Sequence, residues 1–225
     1  MNNPWISRSN TIRSGLEPVD KPVMKFRLTY EGRLLALSSD SVQPVSKSRH
    51  THEIRKSFHP QLKRLWNIHP ALRSATVFDA KNLLDDVQEG LLENREKNFE
   101  RCGYKFVPLV TEDFSLLCDI HVLFLRPDTP GSLIQSGDID NRIKTLFDAL
   151  RMPSNKAELG AYDIPDPEER PFFTLLEDDK LISGISVETD VLLDMGDPKD
   201  QNNVRLVITV SIRPYKLGFH NIEFG

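Results

Sequence analysis

Apolar positions along this chain switch between a period of two and a period near 3.6. Residues 1–22 are polar, carry Pro4, Pro18 and Pro22, and predict an irregular lead-in. Lys25–Leu35 alternates through Phe26, Leu28 and Tyr30 and predicts a strand. A Ser-rich loop over 37–48 separates it from a helix spanning about Thr51–Trp66. There Ile54, Phe58, Leu62 and Leu65 form one apolar stripe. Pro60 should kink this helix or start a second one, because it lacks a backbone donor. A further helix is expected over 82–101, with Leu83, Leu84, Val87, Leu91 and Leu92 inward and Gly103 as its C-cap.

Two strands follow, Tyr104–Val110 and Phe114–Leu125. The second places Phe114, Leu116, Cys118, Ile120, Val122 and Phe124 on one face, with Asp119 and His121 on the other. A helix from Ile139 to Arg151 turns Ile139, Ile143, Leu146, Phe147 and Leu150 inward and ends at Met152-Pro153. Residues 154–176 are rich in Pro and acids and read as an insertion or ordered loop. Strands over Ile185–Leu193 and Val204–Ile212 close the chain, with DMGDPKDQNN as the hairpin loop between them. The class is α+β, a mixed sheet with helices packed on it. The domain reading is an irregular segment over 1–22 and a single domain over 23–225, with insertions near 67–103 and 154–176.

Composition adds bounds. The chain has 225 residues, 39% of them hydrophobic and 28% charged, as in a soluble globular protein. No apolar run approaches a membrane span and the N-terminus lacks a signal-peptide core. Cys102 and Cys118 sit in no ligand spacing and read as reduced thiols, so a cytoplasmic protein without membrane partners is expected. The net charge of -4 disfavours phosphate binding on average, but the charge is segregated. Residues 47–64 hold six Lys/Arg and one acid, Glu53, whereas 81–100 is acid-rich. Arg55, Lys56, Lys63 and Arg64 fall mostly off the apolar stripe of the first helix. They are a candidate DNA-facing surface, or simply its solvated side. His50, His52 and His59 read as surface or DNA-facing residues, while Phe58 and Trp66 read as core. Asp119 and His121 fit the wet face of a sheet.

The segment Gly137-Asp138-Ile139-Asp140-Asn141-Arg142-Ile143-Lys144 carries the densest chemistry. Asp138 lies at the mouth of the helix, and Asp140, Lys144 and Asp148 fall along one side of it. Close carboxylates repel unless a cation neutralises them, and Mg²⁺ prefers carboxylate oxygens. Glu177-Asp178-Asp179 adds a second acidic point, 39 positions after Asp140 at its last residue. Three carboxylates from two elements suit one or two Mg²⁺ ions of the kind used in phosphodiester hydrolysis, with Lys144 opposite the phosphate. Simpler roles exist for each residue. Asp138 is a good N-cap, Asp140 complements a helix dipole, Asp140 and Lys144 can pair, and 177–179 can be a solvated turn. A calcium loop is excluded, since its fifth, sixth and twelfth positions would be Arg142, Ile143 and Ala149.

GDIDNRIKTLFDAL followed by EDDKLI resembles the signature of RusA-type Holliday junction resolvases, and the resemblance covers about residues 114–213. It implies a β-α-β-α-β-β order. It places the metal-binding aspartates at Asp138, Asp140 and Asp179, with Asp178 beside them, and the catalytic lysine at Lys144. Asp148 matches a position of less defined role. The implied activity is that of an endonuclease that requires Mg²⁺, with Mn²⁺ as a substitute, and cuts branched DNA as a homodimer. The chain departs from the pattern in the longer connection before the Asp pair, in residues 67–103, and in lacking an Asn- and Arg-rich N-terminal loop. Two other readings remain: a non-catalytic DNA-binding protein of the same fold, and a nuclease acting on flap DNA or RNA.

Overall fold

A computed structural model describes residues 24–36, 44–70, 72, 99–127, 139–193, 202–216 and 221. The expected lead-in over 1–22, most of the expected helix over 82–101, the loop before Asp138 with Asp138 itself, and residues 194–201 lie outside the described residues. The class is α+β. In chain order the elements are β1 (Met24–Arg33), α1 (Pro44–Ile68), β2 (Glu100–Arg101), β3 (Tyr104–Val110), β4 (Leu116–Arg126), α2 (Ile139–Leu150), β5 (Phe172–Leu176), β6 (Ile182–Val191) and β7 (Asn203–Pro214). Among the described residues, no helix is long and apolar enough to cross a membrane.

Two sheets organise the chain. The larger has the order β1-β7-β4-β6 and the smaller β2-β3-β5. Period-two patterning decides the faces of the larger sheet. Met24, Phe26 and Leu28 of β1, Leu116 to Phe124 at every second position of β4, and Val204 to Ile212 of β7 all turn inward. The apolar stripe of α1 closes over that face, and Ile54, Phe58, Leu62, Leu65 and Trp66 are buried there. Ile143, Leu146 and Leu150 of α2 join the same core. α1 runs continuously through Pro60, so no second helix starts there.

Three connections differ from expectation. β4 pairs with β6 in parallel on one edge and with β7 antiparallel on the other. β6 and β7 therefore lie on either side of β4 and are not hairpin partners. Second, residues 154–176, read as an insertion or ordered loop, are ordered and end in a strand that the reading did not place. They hold short 3₁₀ turns at Lys156–Leu159 and Pro167–Glu169 and then β5, which pairs in parallel with β3. All five residues of β5 are buried, so it shows no alternation. Third, Glu100 and Arg101 pair with β3 instead of ending a helix. Cys102 (φ 55°) and Gly103 (φ 83°) form the two-residue turn between them, so Gly103 serves a hairpin and not a helix end.

The 154–160 segment is pressed against the N-terminal half of α1. Gly160 has φ 61°, and a Cβ there would lie 2.2 Å from the Arg49 backbone. The left-handed dihedral would strain a side chain, and the space admits none. Gly160→Ala is expected to cost about 3 kcal/mol by combining strain with overpacking. Urea denaturation would show it as a lowered midpoint with unchanged slope.

Candidate functional site

α2 carries Asp140, Asn141 and Lys144 of the DxDNxxK segment, and two buried arginines fix its position. Arg142, on α2 itself, is 4% exposed. Its guanidinium donates to the Leu34 carbonyl after β1, and to Asn202 Oδ1 at 2.9 Å just before β7. Thr145 adds a hydroxyl contact to the Leu35 carbonyl at 3.4 Å. The other end of α2 is held from α1. Arg55 Nη2 donates to the Asp148 carbonyl at 2.6 Å and Nε to the Arg151 carbonyl at 2.9 Å. These are carbonyls that a helix C-terminus leaves without partners, and a cation there also opposes the helix dipole.

Arg55 is 1% exposed, so it does not lie on the expected DNA-facing surface. Burial, reinforced by the neighbouring Arg151, lowers its pKa to about 10, which leaves it charged at neutral pH. Its third contact is His52 Nδ1 at 2.9 Å. Because the guanidinium only donates, that nitrogen accepts and the proton sits on Nε2. His52 is itself buried among the rings of Tyr104, Tyr162 and Phe172.

The rest of the expected basic face is also engaged. Lys56 pairs with Asp166 at 2.8 Å and Glu169 at 2.7 Å, and lies 4.9 Å over the Tyr162 ring. Burial works against its charge, but these carboxylates outweigh it and raise the pKa. Lys63 contacts Glu168 Oε2 at 3.4 Å. Of the four, Arg64 is exposed. The acidic 166–169 turn thus covers the basic side of α1. The histidines face inward as well. His50 Nε2 accepts from the Leu35 amide, and His59 Nδ1 accepts from the Phe173 amide at 2.9 Å. Phe58 and Trp66 occupy the core places expected of them.

Asp140 and Lys144 are exposed and form no ion pair with each other or with any described residue. The carboxylate of Asp178 accepts from the Lys180 amide at 3.0 Å and caps a 3₁₀ turn at Asp179–Leu181. Asp179 is exposed and has no such contact. Asp148 is bound to Arg151 at 3.0 Å and serves the end of α2.

Among the described residues, the two acidic points are attached near opposite ends of α2. Asp140 is in the first turn of α2, on the side of Leu34 and Asn202. The Asp pair follows β5, whose Leu176 carbonyl accepts from the Met152 amide beyond the far end of α2. Lys180 then pairs with Glu112 in the turn before β4. At 1.5 Å per residue, α2 separates these ends by about 15 Å. Among the described residues, no group of three or more His, Cys, Asp or Glu could hold a metal ion. The arginine anchors were missed because a buried arginine leaves no periodic signal; only the position of Arg142 beside Ile143 and Leu146 hinted at an inward side chain.

The chain matches no known family model, no curated protein and no solved structure. Among the described residues, the candidate groups are a carboxylate without an ion-pair partner in the first turn of α2, an ammonium one turn further along it, and a carboxylate without such a partner near its far end.

Burial lowers the His52 pKa from 6.5 to about 3, with Arg55 and Lys56 adding to the effect. Its folded pKa is depressed, so the unfolded chain binds more protons between pH 6.5 and 3. Stability from this site is complete above pH 6.5 and is lost as pH falls, at about 1.4 kcal/mol per pH unit. Burial depresses His59 and His69 in the same direction. Thermal melts from pH 7.5 to 5 should show a falling Tm, and His52→Gln should start lower at pH 7.5 but fall less steeply.

Proposed function

We propose that this chain is a Mg²⁺-dependent endonuclease of the RusA type that cleaves phosphodiester bonds in branched DNA and works as a twofold dimer. The observation that carries the reading is the pairing of motif with presentation. Asp140 and Lys144 of the DxDNxxK segment lie on a helix anchored at both ends and are exposed and unpaired among the described residues, as is the second aspartate of the separate pair. The order of motifs, and their placement on a helix and before a strand of a mixed sheet, support it.

The donor set fits a hard divalent ion, because every candidate ligand offers carboxylate oxygen. Asp140 and Asp179 would hold it together with Asp138, with Asp178 alongside. The metal, when bound, lowers the pKa of water and stabilises developing charge on phosphate oxygens. Lys144, one turn above Asp140, presents an ammonium to the scissile phosphate.

The separation of the two acidic points within one chain gives the dimer a chemical role. If a twofold axis lays one α2 against its partner in opposite sense, Asp140 of each chain faces Asp179 of the other. Two such composite sites would match the two symmetric incisions that a four-way junction requires. The same separation also fits a DNA-binding protein that keeps the fold without cutting, which predicts junction binding and no product.

Labelled four-way junctions with Mg²⁺ test the reading. Wild type should yield paired incisions, and Asp140→Asn, Asp179→Asn and Lys144→Ala should each lower the rate by at least about 100-fold. Co-expressed Asp140→Asn and Asp179→Asn chains form a mixed dimer with one intact composite site, so nicking of one strand should return. No cleavage by wild type in Mg²⁺ or Mn²⁺ would end the endonuclease reading. Cleavage by wild type with an inert mixed dimer would return the site to a single chain.

A further inference from the structure

The larger sheet has a second face, on which no described element packs. Its rows can be read across the strands from the pairing register. One row runs Lys25, Ser211, Asp119, Gly184, and the next runs Arg27, Thr209, His121, Ser186. A groove of about 610 Å³ lies along these two rows.

The groove is mixed, with Leu123, Ile185 and Val207 beside its polar groups, and its two cations are free of partners among the described residues. Lys25 and Arg27 are exposed and make no ion pair or side-chain hydrogen bond among the described residues. The hydroxyls of Thr209 and Ser211 beside them are likewise uncommitted. Asp119 is the one carboxylate in the lining. It is already occupied, accepting from Ser183 Oγ at 2.7 Å and lying 3.9 Å from Arg213. His121 is held on the groove floor by Ser186 Oγ at 3.1 Å. Free cations flanked by free hydroxyls, along an open channel, match an extended polyanion better than a small enclosed ligand.

Position points the same way. The Lys25–Gly184 row crosses β6 two residues after Ile182, and Asp179 precedes Ile182 by three. The groove therefore leads toward the exposed aspartate at the start of β6. Meanwhile the side of α1 that the sequence offers for DNA is covered by the 166–169 turn.

We infer that the open face of the larger sheet is the surface that carries the DNA phosphate backbone, with Lys25 and Arg27 as its cationic contacts. The identity of the polymer rests on the branched-DNA reading above; the location of the surface does not depend on cleavage.

Fluorescence anisotropy with a labelled four-way DNA junction in EDTA measures binding without cutting. Lys25→Ala/Arg27→Ala, with an unchanged melting temperature, should bind about tenfold more weakly, and the slope of log affinity against log salt should fall by about 2. Lys63→Ala/Arg64→Ala should change affinity less than about twofold, consistent with an ordinary solvated face. Equal affinity and slope in the first variant, loss only in the second, or no junction binding by wild type would each overturn the assignment. Weakened binding in the first variant without cleavage by any form would uphold this surface and remove the endonuclease reading. Cleavage by wild type with unaltered binding by the first variant would do the reverse.

Discussion

A buried guanidinium with no carboxylate in direct contact is the constraint around which this fold is arranged. Arg55 must have its donors met, because a desolvated cation left without acceptors is strongly destabilising. The acceptors it finds are the terminal carbonyls of α2 and the imidazole of His52. That choice fixes α1 against the end of α2. It requires His52 to stay neutral and brings Arg151 into contact with Asp148 and Glu158. Glu158 lies in the 156–159 turn, whose following Gly160 admits no side chain against α1. One charge thus organises two helices and a turn.

Arg142 performs the matching task at the other end of α2, toward Leu34 and Asn202. With both ends anchored, α2 has little freedom to swing toward the Asp pair. Its first turn opens on the side where β1 ends and β7 begins, and its last turn meets β5. The acidic groups are held apart by the same contacts that make the helix rigid. Rigidity of this kind suits a site that must position oxygens closely, and the separation is what makes assembly part of the proposed chemistry.

Legibility in the sequence followed exposure. β1, β4 and β7 each bury one face and were read from alternation; the stripes of α1 and α2 were read from their helical period. β5 buries both faces, so Phe172–Leu176 resembled the end of a loop. The hairpin expected between β6 and β7 failed because alternation identifies strands but not their neighbours, and β4 lies between them. At the candidate site, residue types and motif order were visible, whereas the distance between Asp140 and Asp179 depends on how β5 returns beside α2. Charges were least legible. Arg55 and Arg64 look alike in sequence, yet one caps a buried helix and the other meets solvent. Lys56 and Lys63 are covered by acids more than 100 positions away.

The separation of the two acidic points within a chain is tested most directly by a spin–spin distance. Nitroxides would be placed at positions 140 and 179 of one chain, in a Cys102→Ser background, and diluted with excess unlabelled protein so that only intrachain pairs remain. A separation beyond about 15 Å, as the length of α2 requires, is the predicted result. Strong short-range dipolar broadening of the continuous-wave spectrum would place both aspartates in one cluster within a chain and contradict the arrangement described.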